Sequence, residues 1–148
     1  MKKRITFFIC LTLVFCLLAV EASAAILDSS RKGSITINTS YKGSPVSGGT
    51  LTLYRAAKVE SFRFVLLDEF VQSGVLINDV SSAQTAKLLA DYAASEKIEG
   101  TKQKIKNASV LFDDLEQGVY LLVQHDPAPG YEKMNPFLVT VPMVQNDE

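Results

Sequence analysis

The chain has 148 residues, 47% of them hydrophobic, a formal net charge of −1, one His, two Cys and no Trp. That length accommodates one domain with a single core. A near-balanced charge without a long single-sign run excludes the electrostatic footprint that nucleic acid requires.

The apolar residues crowd the N-terminus. Lys2, Lys3 and Arg4 precede an apolar run over residues 5–20, and Ala22-Ser23-Ala24 follows as a small-residue cleavage site. This is the layout of a secretory signal peptide over 1–24. The run is short for a membrane span, so cleavage after Ala24 is expected, with no membrane span afterwards. Bulky Phe15 before Cys16 argues against lipid attachment there. Cys10 and Cys16 leave with the leader. The exported chain then has no disulfide, no thiolate metal site and no cysteine nucleophile. It carries 12 Lys and Arg against 15 Asp and Glu, net −3.

After a lead-in over 25–32, residues 33–39 alternate Ile35 and Ile37 with polar neighbours, a half-buried strand. Residues 41–49 are rich in Gly, Ser and Pro and read as turns. A strand over 50–57 points Leu51 and Leu53 one way and Thr52 and Tyr54 the other. A third strand over 62–66 puts Phe62, Phe64 and Leu66 on one face, and 70–77 reads as a weaker extended or irregular stretch. The period then changes. Asp79 to Ser82 offer N-caps, and residues 83–95 contain neither Gly nor Pro. Ala83, Ala86, Leu89, Ala90 and Ala93 fall on one helical face. Strands return at 102–106, whose lysines suit an edge, and at 109–112. A turn is expected over 113–118, a near-continuous apolar strand over 119–124, a Pro- and Gly-containing loop over 125–135 and a last strand over 136–143. The pattern is mainly β: an antiparallel Ig-like sandwich of about seven strands with one inserted helix.

Chemistry-bearing groups are few. His125 is the only imidazole and no nucleophile motif accompanies it, so it reads as a surface loop residue. Asp113, Asp114 and Glu116 lack EF-hand spacing and read as a solvated turn. No Gly-rich phosphate loop follows a strand. Asn38-Thr39-Ser40 and Asn107-Ala108-Ser109 match the glycosylation sequon, which acts only in a eukaryotic secretory route. No catalytic residue, metal or cofactor is expected, and hence no enzyme.

One segment is more specific. Gly118-Val119-Tyr120-Leu121-Leu122-Val123-Gln124-His125-Asp126-Pro127-Ala128-Pro129-Gly130-Tyr131 resembles the G-x-Y-x-x-x-E-x-x-A-P-x-G-Y signature of Cna protein B-type domains, the prealbumin-like sandwiches of Gram-positive surface adhesins and pilins. The hairpin of 33–54, the helix of 81–94 and the closing segment from Asn135 to Met143 are similar to the N-terminal domain of sortase-assembled, SpaA-type pilin subunits. The resemblance implies a pilin-type sandwich over 33–143, with 144–148 a C-terminal stub or the start of a missing linker.

The family is known for isopeptide cross-links between a first-strand Lys and a last-strand Asn or Asp, assisted by a buried Glu. Carried onto this chain, the Glu position is Gln124. The Lys position is Asn38 counted back from Gly48-Gly49, or Thr39 if Ile35 and Ile37 are held in phase. The last strand has no Asn or Asp between Pro136 and Met143. Thr39, Asn38 and Gln124 are therefore expected to be non-functional isopeptide positions. The chain also stops before the Y-P-K and L-P-x-T-G motifs such pilins carry. It is expected to be either a fragment of a longer pilin or a short secreted relative.

The resemblance implies a secreted structural protein of the cell surface, or of the cell wall if part of a longer sortase substrate, with other pilin or surface-protein subunits as partners. The alternative is a secreted adhesion module gripping a host protein or glycan through its loops. Tyr131 and Met134 are then the candidate binding loop.

Overall fold

The structure is a computed structural model that describes residues 31–61 and 63–142. The expected signal peptide over 1–24, most of the 25–32 lead-in, Phe62, Met143 and the 144–148 tail lie outside the described residues.

The described elements, in order, are β1 (Gly33–Asn38), β2 (Ser40–Tyr41), β3 (Ser44–Pro45), β4 (Thr50–Glu60), β5 (Arg63–Leu66), α1 (Asp68–Val71), α2 (Ala83–Ser95), β6 (Thr101–Lys104), β7 (Ser109–Leu115), β8 (Gly118–Asp126) and β9 (Phe137–Val141). The long strand β4 is the axis of the main sheet. One edge pairs along its length with β8, and β8 pairs with β9. The other edge is shared end to end by β6 and β5. β1 and β7 form a separate antiparallel pair, and β2 and β3 a small hairpin. All these pairings are antiparallel.

Two apolar clusters explain why β8 reads as a nearly unbroken hydrophobic run and why β4 buries successive residues: both of their faces are covered. On one face, Leu51, Leu53, Tyr120, Leu122 and Val141 meet Ile35, Val110 and Phe112 of the β1–β7 pair. This is the sandwich core. On the other face, Tyr54, Val119, Leu121, Val123 and Leu138 receive Ala86, Leu89 and Ala93 of α2. Alternation along β8 assigns each side chain to one layer or the other.

The helix begins where Ser82 Oγ accepts the Thr85 N–H at 3.2 Å, which satisfies one orphan donor of the first turn. Its outer face carries a Lys87–Asp91 pair at 2.6 Å. Ala83, expected on the packed face, lies in the first turn and is exposed.

Three sequence readings are corrected. Residues 70–77, read as extended or irregular, are irregular only over 74–77; the first part is helical. Asp68–Val71 form one helical turn, with Phe70 and Val71 donating to Leu67 O. Phe70 is fully buried between Tyr54 and Tyr92, at 6.5 and 6.3 Å between ring centroids. That anchoring decides the local conformation over weak propensity. The acidic pair Asp113-Asp114 is not part of a turn: β7 continues through it to Leu115. The register jumps from Gly33–Leu115 to Ile35–Phe112 while Asp114 adopts a φ of 55°. This is a β-bulge, and Asp tolerates the left-handed conformation it needs. The third correction concerns His125, which lies on β8 rather than in the following loop.

Thr52, fully buried on β4, has no hydrogen-bond partner for its hydroxyl among the described residues. Thr52→Val keeps the shape and removes the stranded polar atom. The variant is expected to be more stable by about 1 kcal/mol. Thermal melting checks this, and a loss of stability would mean that the hydroxyl is bonded.

Candidate functional site

The signature segment is built into the sandwich end. Tyr120 points into the inter-sheet core, and its hydroxyl donates to Glu116 O at 2.7 Å. Burial pushes its phenol pKa up, as it does for Tyr54, so both stay neutral at physiological pH. Arg55 reaches from β4 to the same turn. It pairs with the Glu116 carboxylate and donates from Nη2 to Gln117 O at 2.8 Å. Four residues after Tyr120, buried Gln124 faces the same layer. Its Oε1 accepts the Met134 N–H at 2.8 Å, tying the 127–136 loop down over the sheet end.

Two turns complete the site. Ala128-Pro129-Gly130-Tyr131 closes with a Tyr131 N–H to Ala128 O bond of 3.0 Å, and Gly130 has a φ of 83°. Pro at the second position and a left-handed Gly at the third define a type II turn. The turn sets Tyr131 at the rim. Opposite it, β2 and β3 are joined by Lys42 and Gly43, with φ values of 50° and 82°. This is the type I′ geometry of a tight hairpin, and it presents Tyr41. Thr39 anchors the hairpin by donating from Oγ1 to Val46 O at 2.5 Å. The rings of Tyr41 and Tyr131 meet edge to face at 5.5 Å, and Lys42 Nζ sits 5.3 Å from the Tyr41 centroid.

Between hairpin and loop lies a cavity of about 250 Å³. Asn38, Thr39, Gln124, Tyr131 and Met134 all line it. Residues singled out for two unrelated reasons, cross-link counting and loop exposure, thus share one site. Gln124 is at its buried side, Met134 is half-buried and Tyr131 is 42% exposed. The sequence reading missed Tyr41, Lys42 and Glu132. The signal for the first two was an aromatic-Lys-Gly step, the mark of a tight hairpin that displays its side chains. His125 lies outside this cavity, exposed, with Nε2 3.3 Å from Tyr54 Oη.

Among the described residues, no helix is long and apolar enough to cross a membrane. No family model matches the chain, and no curated protein matches it. Among solved structures it is similar to the full-length major pilin SpaD from Corynebacterium diphtheriae, at 24% identity and a TM-score of 0.48. The match covers 82% of this chain and 28% of that one.

Proposed function

We propose that the chain is a secreted structural protein of the cell surface, similar to the N-terminal domain of a sortase-assembled pilin, with other surface subunits as partners and no catalytic activity. One observation carries the reading. The two polar side chains that the signature segment buries both hold backbone, Tyr120 on Glu116 O and Gln124 on the Met134 N–H. A segment that invests its buried polar groups in backbone geometry is a scaffold. A catalytic one would aim them at a substrate.

The same reading holds that the domain makes no internal cross-link. Isopeptide formation needs a desolvated, neutral Lys amine and a carboxyl group to polarise the amide. Thr39 or Asn38 stands at the amine position and Gln124 at the carboxyl position. Intact-mass measurement on the exported protein tests both halves. The expected mass is that of the chain from residue 25 onward, with no ammonia lost. An intracellular protein that keeps residues 1–24 would overturn the export reading, and a mass short by one ammonia would overturn the cross-link reading.

A further inference from the structure

We propose that the cavity between the β2–β3 hairpin and the 127–136 loop is a binding site for one neutral sugar unit of a glycan. This goes beyond a structural role and does not depend on it. A pyranose ring is amphipathic, with C–H groups on its faces and hydroxyls around its edge. The cavity is amphipathic in the matching sense. Tyr41 and Tyr131 stand at the rim, 55% and 42% exposed. They touch edge to face, and tyrosine has few rotatable bonds, so a ring stacking on them costs little side-chain entropy. Val46, Ala128 and Met134 supply apolar wall. The amide of exposed Asn38 and the hydroxyl of Ser40 have no hydrogen-bond partner among the described residues and are free to pair with sugar hydroxyls.

Charge and size choose the ligand class. Glu132 is the one charged residue of the lining, and Lys42 stands outside it, 5.3 Å from the Tyr41 ring centroid, so the cavity favours a neutral molecule over an anion. A volume of about 250 Å³ lies just below the range of sites for larger organic ligands and suits a single ring. Peptide recognition instead uses an open sheet edge, a long groove or a polyproline track. A short, half-open cavity between two turns is none of these. The tyrosines contribute through preformed turns, so the site exists before the ligand arrives.

The test is NMR titration of the mature chain, made in a bacterial host so that Asn38 stays unglycosylated. The probes are the methyl glycosides of glucose, galactose, mannose, N-acetylglucosamine and N-acetylgalactosamine, with a neutral proline-rich peptide alongside. The expected result is saturable shifts with at least one sugar, centred on Tyr41, Gln124, Tyr131 and Met134. Tyr131→Ala and Tyr41→Ala should each weaken binding about tenfold or more. Asn38→Ala, an exposed change that spares the aromatic pair, should weaken it severalfold and covers the case in which a tyrosine variant misfolds. Three results would overturn the site: no saturable shift with any sugar, shifts centred elsewhere, or binding of the peptide alone.

Discussion

Phe112→Ala is expected to cost about 3–5 kcal/mol, the range for truncating a fully packed aromatic. Phe112 is 2% exposed and lies across from Ile35, so it is the largest side chain that the β1–β7 pair sends into the sandwich core. The pair is joined to the main sheet by this packing, since β1 and β7 hydrogen-bond only to each other among the named strands. Removing the ring leaves a cavity between layers that no ladder holds together. A domain of this size has about 5–15 kcal/mol in total, so the variant should sit near the edge of folding. The neighbour provides the control. Leu111 is 50% exposed, and Leu111→Ala should fall within about 0.5 kcal/mol of the parent. Urea denaturation of both variants decides the matter. Equal losses, or a larger loss at Leu111, would mean that β7 is turned over by one residue.

Gly118→Ala is expected to destabilise by about 3 kcal/mol, at the upper end of overpacking costs. A Cβ at this position would lie 2.2 Å from Ala57 O. That oxygen belongs to β4, the central strand, and Ala57 is paired with Val119 beside it. No side chain can rotate to make room, so the entry of β8 or the ladder itself has to shift. Gly43→Ala is the comparison, because its added Cβ meets nothing within 4 Å and only the left-handed backbone opposes it, at about 1–2 kcal/mol. Melting curves that rank Gly43→Ala as the more damaging change would contradict the close approach at Gly118.

The first glycine of the signature is thus explained by contact rather than by motif membership. The same holds along the segment. Tyr120 packs between the sheets and ties the preceding turn, Gln124 holds the following loop, and Gly130 forms the turn that places Tyr131. Their spacing was visible in the sequence. What each residue touches was not, because Glu116, Met134 and Ala57 are brought in by elements the spacing does not specify.

Legibility followed the range of the interactions involved. The helix over Ala83–Ser95 was read at its observed bounds, since its cap and its apolar stripe are local patterns. The two-faced assignment of Leu51 and Leu53 against Thr52 and Tyr54 was equally legible, because strand alternation is a local property. Reading failed where a distant partner set the outcome. Phe70 makes a helical turn because Tyr54 and Tyr92 close around it. Asp113-Asp114 looks like a turn in isolation and becomes a bulge because β1 continues to pair past it. The candidate cavity was half legible. Tyr131, Met134, Gln124, Asn38 and Thr39 were singled out separately, but Tyr41 and Lys42 gain meaning only once the hairpin is folded against the loop.

The sequence by itself determined the main strands and the long helix over Ala83–Ser95, through periodicity, caps and turn residues that act within a few positions. It also determined that the residues beyond position 24 contain no cysteine to staple them. Only the tertiary structure decided that the main sheet is covered on both faces, and that the 33–45 and 124–134 regions meet around one cavity. Both are consequences of packing between residues tens of positions apart. Burial free energy depends on which surfaces come together, and a linear pattern records only that a surface is apolar.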